Sequence, residues 1–150
     1  MEQEMEEIFE QANKQFLKNH VALLESDVSE RTLCGALMIE LHEILKNTSY
    51  AEHYADVEYN RSTKSLDNLI AIEMKKSRAK KVSKDSDRDR LKALTIHDFD
   101  GTISNDGKTI PKYVCNYQLG VYYEINDKYC SILIEYYHQE VCTNSYTIAY

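Results

Sequence analysis

Proline and glycine are scarce, with one Pro and four Gly in 150 residues. That scarcity excludes collagen-like chains and linker-rich or loop-dominated designs. Long apolar runs are missing as well: no stretch approaches the roughly 18 consecutive apolar residues of a membrane span, so no membrane partner is expected. The chain opens with Met1-Glu2-Gln3-Glu4-Met5-Glu6-Glu7, acidic where a signal peptide would be basic and then apolar. A cytoplasmic location is expected. The four cysteines, Cys34, Cys115, Cys130 and Cys142, lie far apart without a Cys-x-x-Cys pair, which speaks against structural zinc. Cys34 on a helix and Cys115 and Cys130 on strands are expected as small core residues. His20, His42, His53, His97 and His138 show no His-x-x-x-His spacing. No Gly-rich phosphate loop, Gly-x-Ser-x-Gly elbow or nucleotide fingerprint occurs.

Hydrophobic residues at 43% and charged residues at 29% suit one globular domain over residues 1–150. The net charge of −7 hides an asymmetry. Lys75, Lys76, Arg78, Lys80, Lys81, Lys84, Arg88, Arg90 and Lys92 face only Asp85, Asp87 and Asp89 within their segment, a local +6 against −13 elsewhere. A basic segment in an acidic chain is a candidate polyanion contact, because local field steers ligands. It reads equally as a solvated loop.

Met5, Ile8, Phe9, Ala12, Phe16 and Leu17 recur at helical spacing, predicting an N-terminal helix within residues 1–25 that runs to about Leu24. Asp27 with Glu30 resembles a capping box for a second helix burying Cys34, Leu37, Met38, Leu41 and Leu45. The period then becomes two. Ala55–Asn60 and Leu69–Lys75 read as strands joined by a turn at Ser62–Asn68. A helix is expected from about Ser83, anchored by Leu91 and Leu94, then a polar loop with Asp-Gly turns. Tyr-rich strands at Val114–Ile125 and Tyr129–His138 follow, and residues 139–150 form a tail without a clear period. The nine tyrosines from Tyr113 to Tyr150 are expected to cover sheet faces, with a base-stacking platform as the alternative.

Antiparallel pairing of the first two strands with their apolar faces aligned places Glu58 opposite Glu73 and Asp56 opposite Lys75. Three carboxylates and one ammonium then share a face, about 5 Å apart. Such a set suits Mg²⁺ or Mn²⁺, which take carboxylate oxygens and activate water toward a phosphodiester. A lysine beside them steadies charge on the transition state. An ordinary face of cross-strand ion pairs is the plainer alternative.

Leu69-Ile70-Ala71-Ile72-Glu73-Met74-Lys75-Lys76 resembles the third motif of the PD-(D/E)xK, restriction-endonuclease-like superfamily. Ser29–Leu33, Asp56–Arg61, Asp89–Leu94 and Leu119–Tyr123 are similar to blocks of its small bacterial members. The likeness runs from about residue 29 to 137. It implies an α/β (mixed α+β) three-layer core whose mostly antiparallel mixed sheet is flanked by helices. It also implies a divalent-metal-dependent DNA nuclease with Glu73 as a metal ligand and Lys75 as the catalytic lysine. Glu30 would complete the site, with helix capping as its other role. The family carries an aspartate on a strand between the first strand and the Glu-x-Lys strand, and the seven residues Ser62–Asn68 are too few to supply that strand. Either Asp56 or Glu58 takes its place, or the chain is a shortened relative that binds or assembles without cutting. Under the nuclease reading Lys76, Arg78, Lys80, Lys81, Lys84, Arg88 and Arg90 would grip DNA phosphates, sequence-blind and salt-sensitive. A homodimer also fits the resemblance. Separately, Asp98-Phe99-Asp100-Gly101-Thr102 matches the nucleophile motif of haloacid-dehalogenase-type phosphatases, although too little Rossmann-like sequence follows it.

Overall fold

The computed structural model describes residues 2–53, 69–96 and 117–150. Four helices, α1 (Glu2–Asn19), α2 (Val21–Glu25), α3 (Glu30–Leu45) and α4 (Lys81–Leu94), accompany four strands. These are β1 (Ile70–Lys76), β2 (Leu119–Asn126), β3 (Ser131–His138) and β4 (Val141–Ala149), ordered β1-β2-β3-β4 in one sheet. β1 runs parallel to β2, and the β2–β3 and β3–β4 pairs are antiparallel. The fold is therefore the expected mixed α/β arrangement. A parallel neighbour demands a crossover, which α4 supplies.

The period-two pattern of each strand sorts its side chains into two layers. Ile70, Ile72 and Met74 of β1, Leu119, Val121, Tyr123 and Ile125 of β2, and Ile132, Ile134 and Tyr136 of β3 pack with α1 and α3. Met5, Phe9, Ala12 and Phe16 supply the α1 stripe, and Cys34, Leu37, Met38, Leu41 and Leu45 the α3 stripe, all as the helical spacing predicts. Phe9 meets Tyr123 and Tyr136 edge-on, and the Tyr123 hydroxyl donates to Asn13 Oδ1 at 2.7 Å. On the opposite face Ala71, Tyr122 and Tyr137 pack against Leu91 and Leu94 of α4. Four of the tyrosines thus lie inside the layers; they are core, not a platform for bases.

Several expectations need correction. The first helix does not reach Leu24; it breaks at His20, whose ring stacks on Phe16 and meets Glu40 of α3 at 2.9 Å. Ser29, not Asp27, caps α3, accepting from the Thr32 N–H at 3.2 Å. Asp27 instead reaches Lys76 and Arg78. α4 starts at Lys81, two residues earlier than expected. Cys130 is an exposed turn residue with φ of 45°, not a strand core residue, while Cys34 is buried. Burial pushes the Cys34 thiol up to about 11. Residues 139–150, read as a tail, form the Gln139-Glu140 turn and β4. Both turn residues have positive φ (47° and 67°), and Val141 pairs with His138, the mark of a two-residue type I′ hairpin. Such a turn normally announces itself with Asn-Gly, which is why it escaped notice. The strand expected at Ala55–Asn60 and its turn lie outside the described residues, as do Cys115, Tyr113 and the Asp98–Thr102 motif.

Gly120 shows how closely α4 approaches the sheet. A Cβ there would sit 3.1 Å from Thr95 Cγ2, 3.2 Å from Tyr137 Cβ and 3.4 Å from Leu91 Cβ. Glycine inside a strand commonly marks such an approach.

Candidate functional site

The inward stripe of α4 grades from charge to grease. Lys84, Asp87, Arg88, Leu91 and Leu94 recur at spacings of three and four, so one face carries ions at its start and leucines at its end. The sheet face beneath carries rows set by the strand register: Ala71, Gly120 and Tyr137, then Glu73, Tyr122 and Glu135, then Lys75, Glu124 and Leu133. The first row meets the leucines. The other two meet the ions.

Each sheet carboxylate there finds a cation on α4. Arg90 Nη1 donates to Glu73 Oε1 at 2.6 Å. Lys84 Nζ donates to Glu124 Oε1 at 2.8 Å and to the Ser77 carbonyl at 2.6 Å. Arg88 grips Glu135 with two N–H groups, Nε at 2.8 Å and Nη2 at 3.0 Å, and its guanidinium lies 4.0 Å over the Tyr122 ring. The polarity reverses once, where Lys75 of β1 meets Asp87 of α4 at 3.1 Å. Tyr122 and Tyr137 donate their hydroxyls to Glu124 and Glu135, at 2.7 and 2.8 Å. Burial, followed by those carboxylate bonds, pushes both phenols well above their usual range. The bidentate Glu135 contact raises the Arg88 guanidinium further.

Glu30 and Asp27 join from the α3 side. Glu30 Oε1 accepts the Lys76 backbone N–H at 2.9 Å, and its other oxygen lies 3.9 Å from Lys75 Nζ. Asp27 accepts from Lys76 Nζ at 2.9 Å and Arg78 Nη2 at 2.6 Å, and these two bonds hold its carboxyl at about 2.

The expected site residues therefore divide. Lys75 and Glu30 approach to 3.9 Å, while Glu73, two residues back along β1, meets Arg90 instead. Asp56 and Glu58 lie outside the described residues. Among the described residues no three His, Cys, Asp or Glu side chains converge on a point where a cation could sit. Glu73 and Glu30 each face a cation already, so these residues by themselves do not fit Mg²⁺ or Mn²⁺. Of the expected phosphate-binding cations, Lys76 is buried against Asp27, while Lys84 and Arg88 are held inside the α4 layer. Arg90 is tied to Glu73, and Arg78, Lys80 and Lys81 are exposed, Lys81 beside Asp85.

Sequence reading missed Asp87, Glu124 and Glu135 as members of this layer. A signal existed for Asp87: it lies four residues before Leu91 on the same helical stripe, where an exposed acid does not belong. Glu124 and Glu135 follow from parity with Tyr122 and Tyr137 once the register is known. Compared with known proteins, the chain matches no family model, no curated protein and no solved structure.

Proposed function

We propose that this chain is a nuclease-like fold that binds or assembles with a protein partner and does not cleave phosphodiesters. One observation carries the reading: both members of the Glu-x-Lys pair are held by α4, Glu73 by Arg90 at 2.6 Å and Lys75 by Asp87 at 3.1 Å. A carboxylate that neutralises a guanidinium is a poor ligand for a divalent cation, which must displace that guanidinium first. The basic segment supports the same reading. Eight of its nine cations make ion pairs within the chain, and those of Lys75, Lys76, Lys84 and Arg88 are largely shielded from water. Little of the local +6 is left to steer DNA.

A second reading, metal-dependent DNA hydrolysis, is favoured by one arrangement. Lys75 lies between Asp87 and Glu30, with Glu73 two residues away on the same strand face. Calorimetric titration of Mn²⁺ and Mg²⁺ decides between them. The binding module shows no saturable heat, and its DNA-cleavage background is the same for wild type and Lys75→Ala. Metal binding that vanishes in Glu73→Ala, with cleavage that vanishes in Lys75→Ala, makes the chain an enzyme and ends the first reading.

A further inference from the structure

β4 closes one side of the sheet, and no described strand lies beyond it. Edge strands are usually defended by charge, proline, brevity or a bulge. β4 has few of these defences. Its nine residues, Val-Cys-Thr-Asn-Ser-Tyr-Thr-Ile-Ala, contain neither charge nor proline in a chain that is 29% charged. Its one irregularity falls near its start, opposite Tyr136 and Tyr137, leaving Asn144–Ala149 in regular register with β3.

The direction of the free backbone groups follows from one bond. Tyr150 N–H donates to the Cys130 carbonyl at 3.0 Å, so Tyr150 turns its backbone toward β3. Backbone direction alternates along an antiparallel strand. Tyr146 and Ile148 therefore also face β3, and the N–H and C=O of Ser145, Thr147 and Ala149 face outward.

We propose that this edge pairs antiparallel with β4 of a second copy, about a two-fold axis at Thr147. Two outward-facing residues of equal parity must meet for the ladder to close, and this axis pairs Thr147 with itself and Ser145 with Ala149. Three such pairs exchange about six main-chain hydrogen bonds. The same register sets Tyr146 against Ile148 of the second copy, an aromatic–β-branched cross-strand pair, and Thr147 against Thr147 on the other face. β4 is thus its own complement, as an isologous contact requires. Charge points the same way: two chains of −7 repel across most of their surfaces, and β4 brings no charge to the contact. Beside Ile148, a groove of about 340 Å³ between α1 and β4, lined by Glu10, Gln11, Asn13, Lys14 and Leu17, flanks the position that Tyr146 of the second copy would take, and its one acid and one base balance each other. The contact joins the four described strands of each copy into one continuous sheet, and it stands whether or not the chain cuts DNA.

The test is sedimentation of the full chain across a concentration series, with cysteine cross-linking as the register check. Wild type sediments at twice 17.5 kDa. Thr147→Lys, which sets two like charges together on the axis, keeps the far-UV circular dichroism and weakens the dimer by roughly 100-fold. In a Cys115→Ser/Cys130→Ser/Cys142→Ser background, which leaves only the buried Cys34, Thr147→Cys oxidises to a covalent dimer, because Cα atoms of a hydrogen-bonded pair stand about 5.5 Å apart. Ser145→Cys does not, since its partner is Ala149. A wild type that stays monomeric overturns the proposal, as does a dimer that survives Thr147→Lys or cross-links as readily through Ser145→Cys.

Discussion

Replacing Arg88 by alanine separates a structural cation from one that grips DNA. The Arg88 side chain is 24% exposed and that of Glu135 is 13%, and two N–H groups of one meet both oxygens of the other. Breaking a fully buried pair costs about 3–5 kcal/mol, because a charge is left without compensation. Here water reaches both groups in part, and Glu135 keeps the Tyr137 hydroxyl, so the loss falls to about 2–3 kcal/mol. The lost stacking on Tyr122 adds about 0.5 kcal/mol. At about 3 °C per kcal/mol for a chain of this size, the total of about 2.5–3.5 kcal/mol lowers the melting temperature by about 8–10 °C. Thermal unfolding followed by far-UV circular dichroism measures that drop, and urea unfolding gives the loss in kcal/mol. The pair Arg88→Met with Glu135→Leu recovers most of the loss, with a coupling of about 1 kcal/mol or more in the double-mutant cycle. A loss below about 0.5 kcal/mol, the range of an exposed ion pair, would refute the reasoning. It would return Arg88 to the set free to hold phosphate.

Stability also carries an acid limb from Asp27. Its folded value of about 2 lies below the ordinary 3.8, so the unfolded chain binds the extra proton. Its contribution is complete above that ordinary value and disappears as pH falls toward 2, and Asp27→Asn flattens urea-unfolding curves over that window. Gly120→Ala drives a methyl against Thr95 and Tyr137 and costs about 1–3 kcal/mol in the same assay, with an unchanged Tm as the contrary result. Glu140→Gly relieves a side chain at φ of 67° and raises stability by about 0.5–1 kcal/mol, whereas a decrease would mean that the Glu140 side chain holds the turn.

The helices and the inner faces of the strands were legible because they depend on local periodicity alone. Met5 to Phe16 and Cys34 to Leu45 recur at three and four, and Ile70, Ile72 and Met74 alternate, so each face is implied before any partner is known. Start and stop positions were less legible. His20 breaks its helix through contacts with Phe16 and Glu40, the latter on a different helix.

Pairing was the part beyond reach. Glu73, Glu124 and Glu135 each meet α4, but the bonds span 17, 40 and 47 residues. No local rule sees that far. Read alone, the segment Lys75–Lys92 is a free basic patch; folded, most of it compensates carboxylates on the strands beneath. β4 escaped for a related reason. Few of its side chains touch the core, so it lacks the alternation that marks half-buried strands. The sequence by itself determined which residues turn inward, since burial of apolar groups follows the period of each element. The tertiary structure alone decided which charges meet and which edge stays open, since ion pairs and strand order depend on where distant segments come to lie.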